Sequence, residues 1–257
     1  MMPTGTDPRP RADRPRLFLL GAGAFGALAA RELRAHAEVL VRDPRLGGAS
    51  APLEAAGDAD AVVLCVPVQS IERACKELSP HLCGGVLVCD VASVKTLPMR
   101  WMHERLPAGV RILGLHPLFG PQTAVEAGTI AGQRVALCAP EQGDRVPEPA
   151  ATDRVRALLS TRLGLRLIET TADEHDRQMA MVQVLTHLVG HAAREMDLPE
   201  LPLATVAYTR LLQMKRNTEG DTPELFEAIQ RLNPHARAAR ERFEGAVHDV
   251  LRRAHAE

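Results

Sequence analysis

The feature that most constrains this chain is Gly21-Ala22-Gly23-Ala24-Phe25-Gly26, which follows the apolar run Arg16-Leu17-Phe18-Leu19-Leu20 and opens a stretch of helix formers. Gly21, Gly23 and Gly26 fit G-x-G-x-x-G. The first glycine permits a tight turn, the second lets a pyrophosphate approach the backbone, and the third lets helix and strand pack closely. Unpaired N–H groups and the positive dipole end of the helix then receive the phosphates. A chain with 19 glycines can produce such a pattern by chance. Here an apolar strand precedes it and a helix follows, at the start of the first βαβ unit.

Further strands are expected at residues 37–41, 61–66, 85–89, 110–115, 134–138 and 165–169, with helices near residues 68–78 and 153–163. The run Ala61-Val62-Val63-Leu64-Cys65-Val66 is apolar on both faces, as a buried parallel strand must be. This βαβ rhythm predicts an α/β fold, a Rossmann-type doubly wound, mostly parallel sheet. From Ala172 onward only helical patterns remain, broken at Pro199, Pro202, Gly220, Pro223 and Pro234. The expected organisation is a loose tail over residues 1–15, a dinucleotide-binding domain over 16–171, and a smaller all-α substrate and dimerisation domain over 172–257.

Lys and Arg total 31 against 32 Asp and Glu, so no net field selects nucleic acid or an anionic membrane. Cys65, Cys75, Cys83, Cys89 and Cys138 are odd in number and show no CxxC spacing, which reads as reduced, buried thiols of a cytoplasmic protein. The first fifteen residues lack the apolar core of a signal peptide, and no run approaches the roughly 20 apolar residues that cross a bilayer.

The end of the second strand bears on the choice between NAD and NADP, since an acid there binds the ribose 2′-OH and a base suits a 2′-phosphate. The sequence offers Arg42-Asp43-Pro44-Arg45. Asp43 lies close to the usual spacing of about 20 residues from the first glycine, which favours NAD; Arg42 and Arg45 leave NADP open. Phe25 in the loop and Val66 at the end of the expected third strand complete the expected cofactor contacts.

Two segments carry polar residues at the carboxyl edge of the sheet, where a doubly wound fold binds its ligand. They are Asp90-Val91-Ala92-Ser93-Val94-Lys95 and His116-Pro117-Leu118-Phe119-Gly120-Pro121. His116 directly follows an apolar strand, so its ring is expected in the cleft. Ser93 can both cap a helix starting near Val94 and face the cofactor. Farther on, His175, Met179, Gln183 and His187 recur at i, i+4 spacing, which predicts one wall of an interdomain cleft. His187 and His191 have metal-ligand spacing, but with no HExxH and no third ligand nearby in sequence, no metal site is expected.

GAGAFG, ADAVVLCVP, DVASVK, GLHPLFGP and TADEHDRQMAMVQVLTH, in this order, resemble the prephenate and arogenate dehydrogenases of tyrosine biosynthesis. The resemblance covers nearly all of the chain after the tail. It implies oxidative decarboxylation of prephenate to 4-hydroxyphenylpyruvate, with hydride transfer to NAD. His116 matches the family's catalytic histidine, and an imidazole of ordinary pKa near 6.5 can take the hydroxyl proton at neutral pH. Ser93 matches a serine that orients near it, and His175 matches a histidine that contacts substrate. Arg210, in Tyr208-Thr209-Arg210, aligns with the arginine that forks onto the ring carboxylate. Gln183 and Gln122 complete the expected substrate residues.

Gln122 is a departure, standing where many relatives carry an acid. Glu126 is near enough in sequence to favour an ammonium-bearing substrate, either arogenate or 4-amino-4-deoxyprephenate. No fused chorismate mutase or ACT domain is seen, so tyrosine feedback through an ACT domain is not expected. The family pairs as homodimers through the helical domain. A reading from another class is a Rossmann redox sensor without turnover. His116, Ser93, His175 and Arg210 argue against it, as does the lack of a basic DNA-binding segment.

Overall fold

The computed structural model describes residues 14–140 and 145–255, so most of the expected tail lies outside the described residues. The first part of the chain runs β1 (Arg16–Leu20), α1 (Ala24–Leu33), β2 (Glu38–Arg42), β3 (Ala61–Leu64), α2 (Ile71–Leu78), β4 (Leu87–Asp90), α3 (Thr96–Arg105), β5 (Arg111–Pro117), α4 (Pro121–Ala127), β6 (Arg134–Cys138), α5 (Pro149–Arg156) and β7 (Arg166–Thr170). Among the described residues these strands form a seven-stranded sheet in the order β2-β1-β3-β4-β5-β6-β7.

Strands β1 to β5 are parallel. Then β6 runs antiparallel to β5, and β7 parallel to β6. The βαβ rhythm therefore fails at one connection. Helix α4 has only seven residues, about 10 Å of length against about 17 Å for a five-residue strand, so it does not carry the chain back for a parallel crossover.

Alternation along the strands fills both faces. Phe18 and Leu20 join Val62, Leu64, Val88 and Ile112 under Ile71, Leu78, Met99 and Met102 of α2 and α3. On the other face, Leu17 and Leu19 pack with Ala30 and Leu33 of α1, and Leu87, Leu113 and Leu115 with Leu28. Successive strand side chains point to opposite faces, so near-continuous apolar runs are what a sheet covered on both sides requires.

Beyond β7 the described chain is helical: α6 (Ala172–Met179), a π-helical turn (Ala180–Val184), α7 (Leu185–Glu195), α8 (Val206–Asn217), α9 (Pro223–Glu227), a second π-helical turn (Ala228–Leu232) and α10 (Ala236–Ala254). Thr171, Thr205 and Thr222 cap α6, α8 and α9, each accepting a backbone N–H of the first turn. Of the residues read as breakers, Pro199, Pro202, Gly220 and Pro234 fall between these helices, and Pro223 opens α9. Among the described residues no helix is long and apolar enough to cross a membrane.

All five cysteines are free thiols. The expectation that they are all buried needs correction: Cys83 is exposed and Cys65 half-buried. Burial pushes the Cys75, Cys89 and Cys138 thiols up to about 12, which keeps them unreactive.

Candidate active site

The glycine loop sits where β1 and β3 are neighbours, the point at which the strand order reverses. Gly21 has φ +110°, and a Cβ there would lie 2.4 Å from the Cys65 carbonyl oxygen. A Cβ on Gly26 would lie 2.2 Å from the Gly21 carbonyl oxygen. At Gly23 a Cβ would meet only Arg45 Nη2, 3.9 Å away. The loop is closed toward the sheet and open outward, and no side chain caps the first turn of α1. This cradle fits a pyrophosphate group. Phe25 packs on Phe119 with ring centroids 6.3 Å apart, tying the loop to the segment after His116. Val66 is half-buried just beyond β3.

Asp43 does not present the free ribose acceptor read from its spacing. Its Oδ2 accepts from Ala22 N (2.7 Å) and Arg45 Nη2 (2.6 Å), and its Oδ1 from Arg45 N and Arg45 Nε (both 2.9 Å). The Arg45 hydrogen bond holds the Asp43 carboxyl well below the usual carboxylate range, against the opposing effect of burial.

The chemistry-bearing groups converge at the ends of β4 and β5. His116 lies inside β5 rather than after it, and it is buried. Its Nδ1 is 2.8 Å from His175 Nε2, and His175 Nδ1 is 2.8 Å from Asp176 Oδ1. Asp176 also accepts the Lys95 N–H (2.8 Å) and the Thr96 N–H (2.9 Å) at the start of α3. An ionised carboxylate only accepts, so His175 Nδ1 donates to it and His175 Nε2 becomes an acceptor. His116 Nδ1 must then donate, which leaves the lone pair on His116 Nε2 with no partner among the described residues. The chain of bonds thus assigns the tautomer.

Burial lowers the His116 pKa well below the ordinary histidine value, and the electrostatic effects of His175, Lys95 and His187 act in the same direction. Burial pushes Asp176 upward, but its hydrogen bonds from His175, Thr96 and Lys95 outweigh this and hold it below the usual carboxylate value. Beneath them Lys95 is fully buried. Its Nζ donates to Asp90 Oδ1 and to the Leu115 carbonyl oxygen, the latter at 2.7 Å. Gly114 makes room for it, since a Cβ there would be 3.0 Å from Lys95 Cδ. Burial raises the Asp90 pKa, opposed by Lys95.

Other expected positions fare differently. His175, read as a substrate contact, is buried with both ring nitrogens engaged, one by His116 and one by Asp176. Ser93 is half-buried in the β4–α3 loop and caps nothing; α3 starts at Thr96 with Asp176 on its first amides. A π-helical turn at Ala180–Val184 interrupts the regular helical spacing between Met179 and His187. Met179 and Gln183 are half-buried.

His187 Nδ1 instead meets Asp221 Oδ2 at 2.7 Å, and His191 Nε2 meets the same oxygen at 3.2 Å. The third group missing from the sequence reading is therefore Asp221, and the three ligand atoms lie within 4.8 Å of one another. Here the carboxylate clasps α7 to the α8–α9 turn. Arg210 is exposed on α8 and makes no ion pair among the described residues. Gln122 and Glu126 are exposed and bonded to each other at 3.1 Å. Sequence reasoning gave no role to Asp176, Lys95 or Asp221; only the adjacency of Asp176 to His175 hinted at the first.

Residues 34–159 match the family model of the prephenate dehydrogenase nucleotide-binding domain, and residues 192–255 that of a TYRAAT1-like C-terminal domain. The chain is 30% identical over 232 residues to 4-amino-4-deoxyprephenate dehydrogenase of Streptomyces pristinaespiralis, covering 88% of this chain and 71% of that one. It is 30% identical over 198 residues to a probable arogenate/prephenate dehydrogenase of Methanocaldococcus jannaschii, covering 74% of this chain but only 43% of the archaeal protein. The fold is similar to crystalline A. aeolicus prephenate dehydrogenase, with TM-score 0.70, 20% identity, and 95% and 93% of the two chains covered. By these matches the chain belongs to the prephenate/arogenate dehydrogenase family.

Proposed function

We propose that this protein catalyses oxidative decarboxylation of prephenate to 4-hydroxyphenylpyruvate with NAD(P)+ as oxidant. The observation that carries the reading is the bare Nε2 of His116, held by His175 and Asp176 at the strand ends beside the glycine cradle. Gly21, Gly23, Gly26 and the first amides of α1 would hold the pyrophosphate. Bound there, the oxidised nicotinamide supplies a hydride acceptor for C4 of the substrate. His116 Nε2 takes the C4 hydroxyl proton. The resulting positive charge is shared through His175 and stabilised by Asp176. As the ring carboxylate leaves as carbon dioxide the ring becomes aromatic, and His116 returns the proton to the phenolic oxygen. Ser93, with no hydrogen-bond partner among the described residues, would orient the hydroxyl.

A second reading changes the side chain and leaves this chemistry alone: arogenate or 4-amino-4-deoxyprephenate as substrate. The relative from Streptomyces pristinaespiralis favours it, because the similarity runs over 88% of this chain. Purified protein assayed with prephenate and arogenate against NAD+ and NADP+, following nicotinamide reduction and carbon dioxide release, tests both. Turnover of arogenate alone removes prephenate as substrate, and no turnover in any combination removes the function.

The region from Ala172 onward is read as the substrate and dimerisation domain. Leu203 is 94% exposed, and Met196 and Val206 are 70% exposed, apolar area that a second copy of the chain would cover. Light scattering on the purified protein gives the stoichiometry.

A further inference from the structure

The end of β2 holds two guanidinium groups and one carboxylate, and their pairing decides which adenosine ribose is accepted. A carboxylate binds ribose hydroxyls only with lone pairs to spare, and it has about four acceptor sites. Asp43 fills them with one bond from Ala22 and three from Arg45. It is also buried, whereas the Arg45 side chain is 69% exposed. A guanidinium has five N–H donors. Asp43 engages Nε and Nη2 of Arg45, so one edge of the fork stays free while the other is pinned. Arg45 Nη2 is the group that stands nearest the open side of Gly23.

Arg42, the last residue of β2, turns its Nη1 toward the Ala51 carbonyl oxygen (3.3 Å) and Ser50 Oγ (3.5 Å). Neither partner is charged. The cluster of Arg42, Arg45 and Asp43 therefore retains a net positive charge, which suits a phosphomonoester better than a pair of hydroxyls.

We propose that Arg45 and Arg42 form a subsite for the 2′-phosphate of the adenosine ribose, with Asp43 as the positioning residue for Arg45, so that the protein prefers NADP+ to NAD+. This rests on the nucleotide-binding reading given above and names the cofactor for it.

Calorimetric titration of the purified full chain with NADP+ and NAD+, and with the fragments 2′,5′-ADP and 5′-AMP, tests the subsite without requiring turnover. NADP+ is expected to bind at least about tenfold tighter than NAD+, the 2′-phosphorylated fragment to share that advantage, and the advantage to shrink with added salt. Arg45→Ala lowers NADP+ affinity roughly ten- to hundredfold. It also frees an oxygen of Asp43 for a ribose hydroxyl, so the preference narrows or inverts; Arg45→Lys keeps part of it. Equal or tighter binding of NAD+ by the native chain overturns the proposal, as does an unchanged ratio in a folded Arg45→Ala protein. Should that variant not fold, Arg45→Lys and the two fragments on the native chain decide. Failure of every nucleotide to bind removes the underlying function, and the subsite with it.

Discussion

His116 Nδ1 lies 2.8 Å from His175 Nε2, so the buried His175 spends one ring nitrogen on His116 and the other on Asp176. One ring nitrogen of His116 is committed to the protein interior and the other is left bare. Replacing His116 by Asn keeps a polar group of similar size but removes the basic lone pair. The His116→Asn variant is expected to lose at least about 10²–10⁴-fold in kcat, the range for a general base, while nucleotide affinity stays within about twofold. Steady-state kinetics and a nucleotide titration check this, and retention of most of the rate would show that the base lies elsewhere.

The depressed His116 pKa sets a pH dependence. As the proposed base His116 is active when neutral, and burial, with the electrostatic effects of His175, Lys95 and His187 in the same direction, places its folded pKa well below 6.5. The acid limb of kcat/KM is therefore expected well below pH 6.5. Stability follows the same sign. The unfolded imidazole binds a proton near pH 6.5 and the folded one does not, so His116 makes the protein less stable as pH falls below 6.5 toward the folded pKa. Asp43 and Asp176 add a lower window, because their depressed pKa values give stability that is lost as pH falls below the ordinary aspartate range. A pH–rate profile and melting temperatures across the same range measure these effects; an acid limb centred at or above pH 6.5 contradicts the assignment.

Asp176 joins two tasks, fixing the His175 tautomer and capping α3 through the Lys95 and Thr96 amides. Asp176→Asn offers His175 Nδ1 either an amide oxygen without charge or an amide N–H, which permits the wrong tautomer. The expected result is a fall in kcat of about tenfold or more with KM little changed, and a loss of about 1–3 kcal/mol from weakened bonds to buried donors. A structural role alone would lower the melting temperature and leave the pH profile in place. A relay role moves the profile and makes the effects of Asp176→Asn and His175→Ala on kcat non-additive.

What was legible in the sequence was local. The Gly21 loop, the apolar strands around Phe18 and Val62, and the helical nature of the chain after Thr171 all follow from neighbours within a dozen residues. The direction of β6 depended on how far the seven-residue α4 could carry the chain, which composition does not reveal. The relay joins His116 to a residue 59 positions away and Asp176 to Lys95 across 81, so no spacing argument finds it. The π-helical turn at Ala180–Val184 lies in an ordinary helical sequence, and the partner of His187, Asp221, lies 34 residues on, beyond the reach of a periodicity argument.

Arg210 is exposed on α8 and makes no ion pair among the described residues, which leaves its fork open to the proposed substrate carboxylate. Arg210→Ala is expected to raise KM by about tenfold or more with kcat nearly unchanged, because it removes a contact made equally in ground and transition states. A large fall in kcat at unchanged KM contradicts that role. No effect on either parameter returns Arg210 to the solvent-exposed surface.

Two glycines in one loop are expected to fail in different ways. At Gly21 a methyl group would sit 2.4 Å from the Cys65 carbonyl oxygen, with φ at +110°. Relief requires β1 and β3 to separate at the point where their ladder continues through Cys65 N to Leu20 O. Gly21→Ala therefore costs about 1–3 kcal/mol from backbone strain alone, with the close approach to the carbonyl adding to it, and lowers the melting temperature before any ligand is added. At Gly23 φ is −61° and the space is open. Gly23→Ala leaves the fold and its melting temperature nearly intact, but places a methyl group where the pyrophosphate must approach the amides of α1, so nucleotide affinity falls by about tenfold or more. Melting curves and nucleotide titrations of the two variants separate the cases. A Gly23→Ala protein that binds nucleotide as the native chain does would mean that the phosphates do not lie against this turn.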